Sequence, residues 1–146
     1  MLLPFNNPGM TVMLTRGKLA KLTGCNIETI RYYESIGLLP EPARTPSGYR
    51  NYDDDHLQRL RFVQRTRALG FSSEQIRELI DLRGPGEGHT RAEVKHLTED
   101  HITAIGDKIR DLQRIKRRLT QISSACDGSS KSAETCPILV SLFEEE

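Results

Sequence analysis

Residues 90–124 read TRAEVKHLTEDHITAIGDKIRDLQRIKRRLTQISS, and the spacing of the apolar residues in this stretch decides the fold. Ile102, Ile105, Ile109, Leu112, Leu119 and Ile122 recur three and four apart, which draws one apolar stripe along an amphipathic helix with coiled-coil spacing. Asp107, Lys108, Arg110, Asp111, Arg114, Lys116, Arg117 and Arg118 occupy the other positions, so only the stripe calls for burial. A helix of about 33 residues is roughly 50 Å long at 1.5 Å per residue, longer than one small domain covers. A second copy of the chain is the simplest cover, and the stretch is read as a dimerisation helix. The other reading is a helix folded back on its own domain. It fits less well because the helices that precede it are short.

With 146 residues the chain holds one compact domain and an extended element, with no room for a catalytic domain of ordinary size. It also carries no paired acid–base or nucleophile constellation, so no enzyme is expected. The net charge is +1, with 21 Lys and Arg against 20 Asp and Glu, so any nucleic-acid surface must come from local placement of the basic residues. Three cysteines stand in a chain with no secretory signal and no apolar run of membrane length. That pattern fits a reducing cytoplasm, where metal binding or redox sensing comes ahead of a disulfide framework. Residues 1–11, with Pro4, Asn6, Asn7 and Pro8, lack periodicity and are read as a disordered extension. Met10 and Met13 are alternative starts.

From residue 12 to 82 the pattern is that of short helices. Thr15 is placed to cap a first helix that Gly24 stops, with Leu19, Ala20 and Leu22 on its apolar face. Asn26 caps a second, Ile27 to Glu34, with Ile27 and Ile30 turned inward. Two short helices joined by a turn containing Gly have the form of a helix-turn-helix, whose second helix enters the major groove. Pro42, Pro46 and Gly48 then punctuate a segment ending in Tyr49-Arg50-Asn51-Tyr52, read as a hairpin wing. Residues 83–89, rich in Gly and Pro, are read as a hinge before the long helix at 90–124, and residues 125–146 as a loop and a short C-terminal helix.

Ile30-Arg31-Tyr32-Tyr33-Glu34, Gly37-Leu38-Leu39-Pro40, Ser47-Gly48-Tyr49-Arg50 and Leu69-Gly70-Phe71-Ser72, in that order and spacing, resemble the MerR family of bacterial transcription regulators. The resemblance covers about residues 12–82, and the long helix with its cysteine loop extends it almost to the end. It implies an all-α fold with a small β wing: a winged helix-turn-helix followed by a long antiparallel coiled-coil dimerisation helix. Two further helices are expected, 53–68 and 72–82, the second capped by Ser72. By position in the motif, Arg31, Tyr32, Arg44, Tyr49, Arg50 and Arg61 match places that contact DNA in this family. Arg grips phosphate or guanine bidentately and Tyr donates to phosphate, so the chemistry agrees. The implied partners are a second copy, double-stranded operator DNA and RNA polymerase. The implied mechanism is activation by bending and untwisting the operator.

Cys126 and Cys136 flank nine small or polar residues, DGSSKSAET, and Pro137 opens a short apolar helix. Its N-terminus lowers the Cys136 thiol pKa. Two thiolates fall short of the tetrahedral ligand set of zinc and suit soft ions that accept two sulfurs, Cu(I), Ag(I), Au(I) or Hg(II). Family members that sense mercury, zinc, lead or cadmium carry a further Cys near the start of the dimer helix, where this chain has Arg91. The copper-sensing members have Ser there and a Lys four residues on, matched here by Lys95. A monovalent ion on two thiolates carries a net negative charge that Lys95 and Arg91 would compensate, so the resemblance is nearest to the copper-sensing branch and Cu(I) is the expected ion. The loop is longer than in that branch. Hg(II) or another divalent ion, and a reversible Cys126–Cys136 disulfide, are the alternatives. His89, His96 and His101 are read as solvated, and Cys25 as a small core residue.

Overall fold

A computed structural model describes residues 13–84 and 88–144. The expected extension at 1–11 and the middle of the expected hinge, residues 85–87, lie outside the described residues, as does the end of the acidic C-terminus. The chain divides into two compact units between Val94 and Lys95.

The first unit builds helices from short capped segments. α1 (Arg16–Thr23) starts at Thr15, whose hydroxyl accepts from Lys18 N, and ends at Gly24 in the left-handed region that only glycine enters cheaply. α2 (Ile27–Ser35) starts at Asn26, whose side chain accepts from Glu28 N at 2.7 Å. Between α2 and the next helix, β1 (Ala43–Arg44) pairs antiparallel with β2 (Arg50–Asn51), and Leu14 bridges to Tyr52 beside them. This is the wing. α3 (Asp54–Ala68) is capped by Asp53 and α4 (Ser73–Arg83) by Ser72, which forms a reciprocal capping box with Gln75.

Leu14, Leu19, Ile30, Leu38, Leu39, Tyr52, Leu60, Val63 and Ile76 form the core of this unit. Long-range polar bonds lock the helix ends. Gln64 Nε2 on α3 donates to Thr23 O at the end of α1 (2.9 Å), and Arg77 on α4 donates to Ile36 O just past α2. His56 is buried at the start of α3, with Nδ1 2.7 Å from Asp53 Oδ1 and Nε2 3.1 Å from Pro40 O. Ile27 and Leu22, expected inside, are exposed at 40% and 53%, because helices this short bury a single side and Ile30 and Leu19 take it.

α5 (Arg91–Ser124) runs 34 residues. Thr90 closes its start reciprocally, its hydroxyl accepting from Glu93 N while Glu93 Oε2 accepts from Thr90 N. Ile102, Ile105, Ile109, Leu112, Ile115 and Leu119 are exposed in the single chain. His101, expected to be solvated, is buried. A 3₁₀ turn (Ala133–Thr135) and α6 (Pro137–Phe143) complete the second unit. Among the described residues no helix is long and apolar enough to cross a membrane.

Candidate nucleic-acid interface and thiol pair

Because Ile30 and Tyr33 are the buried residues of α2, Arg31 and Tyr32 between them are turned to solvent. Arg31 pairs with Glu28 at 2.9 Å across one helical turn, and both side chains are more than half exposed, so the pair is weak and Arg31 is available to a stronger anion. The Tyr32 ring lies tilted beside that of Tyr33, and the residue is more than half exposed. On the wing, Arg44 and Arg50 face each other across the two-residue ladder. Arg44 Nη1 donates to Gly48 O, which braces the turn that carries the exposed Tyr49. Arg61 is exposed on α3.

Arg31 and Arg50 share one cleft of about 440 Å³ with Arg16, Glu34, Ser35 and Glu41. The structure therefore brings α2 and the wing together at two of the six residues singled out from sequence. Arg16 and Glu34 were not among those six. Glu34 closes the Ile30–Glu34 motif, but no spacing rule joins it to Arg16, 18 residues earlier.

In the second unit, Cys126 Sγ and Cys136 Sγ lie 3.7 Å apart. The loop closes through local bonds: Asp127 accepts from Ser129 N, Ser132 from Glu134 N, and Cys136 N donates to Ala133 O. Cys136 is the N-cap of α6, with Pro137 as the first helical residue. There the amides of Leu139 and then Ile138 hold its thiol below the ordinary cysteine range, against opposing pushes from desolvation and, more weakly, from Asp127. A cavity of about 450 Å³ opens onto both sulfurs, and Lys131 is the basic residue in its wall. Among the described residues, no cluster of three or more His, Cys, Asp and Glu is arranged to hold a metal ion.

Neither Arg91 nor Lys95 lines that cavity. Lys95 instead pairs with Glu99 at 3.7 Å on its own helix, and 29 residues separate it from Ser124 along α5, a rise of about 44 Å. Cys25 lies in the first unit, half-buried, and burial pushes its thiol up and away from reactivity.

The chain matches the MerR HTH family regulatory protein profile over residues 14–82 and the MerR DNA-binding profile over residues 57–122. It is 39% identical to the HTH-type transcriptional regulator ZntR of Escherichia coli K12 over 126 residues, which is 86% of this chain and 89% of that one. It is 40% identical to the mercuric resistance operon regulatory protein of Bacillus cereus, over 88% of this chain and 96% of that one. Among solved structures it is similar to the transcription regulator PbrR691 from Ralstonia metallidurans CH34 in complex with lead(II). That similarity has a TM-score of 0.78 and 40% identity, over 89% of this chain and 99% of that one. The chain belongs to the MerR family of helix-turn-helix regulatory proteins, a family of transcription regulators and not of enzymes.

Proposed function

We propose that the protein is a homodimeric DNA-binding transcription regulator that senses a soft metal ion through Cys126 and Cys136. It activates its promoter by distorting operator DNA so that RNA polymerase can engage it. Arg31, Tyr32, Arg44, Tyr49, Arg50 and Arg61 hold the duplex, mainly through phosphate. Residues 12–82 act as the DNA-binding head, 90–124 as an antiparallel dimer helix and 125–146 as the sensor. An exposed apolar stripe from Ile102 to Leu119 supports the second copy, since a solvated stripe of that length is a self-association surface.

The observation that carries the sensor reading is the 3.7 Å sulfur–sulfur distance, with one thiol held toward its thiolate by helix amides. With metal–sulfur bonds of about 2.3 Å, two sulfurs in line stand about 4.6 Å apart, so the loop reaches that arrangement by opening about 0.9 Å. A monovalent ion, Cu(I) before Ag(I) or Au(I), is the favoured ligand because two thiolates give it a negative complex that a nearby cation stabilises. Lys95 is too far along its own helix to be that cation, so it and Arg91 act from the antiparallel partner, while Lys131 acts from the same loop. The second reading is a divalent ion. It is favoured by relatives described as a mercuric resistance regulator and as a lead(II) complex.

A metal titration under anaerobic reducing conditions tests this, reporting which ion binds and how many per dimer. Stoichiometric Cu(I) or Ag(I) binding supports the monovalent reading, and preferential Hg(II), Pb(II) or Zn(II) binding replaces it with the divalent one. If no ion binds and oxidant converts the two thiols into a disulfide, the protein is a redox regulator of the same fold.

A further inference from the structure

Arg16, the first residue of α1, reaches across the head to two elements at once. Its Nη2 lies 3.0 Å from Glu34 Oε2 on α2, and its Nε donates to the Tyr52 hydroxyl at 2.9 Å. Tyr52 closes the triangle by donating to Glu34 Oε1. The arrangement is shielded: Tyr52 is fully buried, and the Arg16 and Glu34 side chains are 14% and 15% exposed. Burial, with Glu34 beside it, pushes the Tyr52 hydroxyl up, so it keeps its proton and stays a donor.

Glu34 faces the same cleft as Arg31 and Arg50, the two arginines read as gripping DNA from α2 and from the wing. Three guanidinium groups and two carboxylates, Glu34 and Glu41, line that cleft, so it carries a net +1; without Arg16 the count is two against two. A phosphate entering between Arg31 and Arg50 would then meet an unmasked, poorly solvated carboxylate. Repulsion in such a place is strong because water screens it little.

We propose that Arg16 is a positioning residue of the DNA-binding face: by masking Glu34 and tying it to Tyr52, it makes the cleft between Arg31 and Arg50 accept a DNA phosphate. Arg16 acts through Glu34 and does not itself contact the phosphate. This rests on the DNA-binding reading above and adds to it a residue outside the family's contact positions.

The test uses the full-length protein and a duplex enriched from a random-sequence library by the unmodified chain. Affinity is measured by fluorescence anisotropy over a series of salt concentrations. Arg16→Met should weaken binding about tenfold, the size of one poorly screened charge interaction, with the salt slope unchanged. Glu34→Gln keeps an acceptor for Tyr52 and leaves three guanidinium groups against one carboxylate, so it should bind more tightly than the unmodified protein. The double variant Arg16→Met/Glu34→Gln should recover the affinity lost in Arg16→Met. Failure of that rescue would make Arg16 a structural residue and overturn the proposal. A salt slope reduced by about one in Arg16→Met would also overturn it, by showing that Arg16 is itself a phosphate contact. Should Arg16→Met melt too low to measure, Glu34→Gln decides alone: tighter binding supports the proposal, and weaker binding refutes it. A library that yields no enriched duplex refutes the DNA-binding reading first, and this one with it.

Discussion

At Asp53 a single carboxylate both caps α3 and holds the buried His56 ring. Burial raises its pKa, but the His56 amide, ring and charge outweigh burial and leave it below the usual carboxylate range. A carboxyl lowered on folding contributes stability that is present above its unfolded pKa and lost as pH falls through its folded one. Asp53→Asn keeps a capping oxygen, so thermal melting near neutrality should change little, while the loss of stability on acidification becomes shallower. Asp53→Ala loses the cap and should cost about 1 kcal/mol at neutral pH. The carboxylate is 42% exposed, so solvent screening keeps its pH-dependent share small. A variant as acid-sensitive as the unmodified protein would show that other carboxylates set the acid limit. Arg50 is a different kind of single-residue case, exposed on the wing. Arg50→Ala should weaken binding to all duplexes alike and lower the salt slope by about one, because a phosphate contact carries no base information. If one base position relaxes instead, Arg50 reads sequence.

α5 shows what a helix pattern can and cannot specify. Its extent was legible because the apolar spacing and the Thr90–Glu93 start are local signals, and the same is true of the caps at Thr15, Asn26 and Ser72. Ile115, three residues after Leu112 and four before Leu119, is exposed with them and extends the stripe beyond the positions named from sequence. Replacing Ile109 and Leu112 together with Asp tests the stripe. Both are exposed in one chain, at 51% and 60%, so the monomer should keep its fold. In a paired seam two buried carboxylates cost on the order of several kcal/mol. Sedimentation should then give monomer, with specific DNA binding lost along with it, while a stable dimer would remove the coiled-coil reading. The Arg16–Glu34–Tyr52 triangle was not legible, because its members are 18 and 36 residues apart and meet only once the core has folded. Burial of His101 was hidden for a similar reason, since a charged helix face gives no local sign of which position will be covered.

For the molecule as a whole, the residues proposed to hold the duplex and the thiol pair belong to separate compact units, so substitutions at one are expected to leave the other intact. Cys126→Ser or Cys136→Ser should therefore abolish metal-dependent transcription from the promoter and leave operator affinity as it was. Repression would persist and activation would not. Charge then separates the candidate ions. Lys95→Met removes a cation that a two-thiolate monovalent complex needs and a neutral divalent complex does not, so it should lower Cu(I) or Ag(I) affinity more than Hg(II) affinity. Arg91→Cys acts in the opposite direction. Arg91 sits in the first turn of α5, where a cation works against the helix dipole, so helix stability does not account for it. Replacing it with a thiol would supply a third sulfur from the partner chain and should shift preference toward Hg(II), Cd(II) or Zn(II). The comparison is made within one protein, in competition titrations on the same reduced sample. If the unmodified chain already prefers a divalent ion, and Lys95→Met leaves that preference unchanged, the charge argument is wrong, and ligands other than these two sulfurs complete the site.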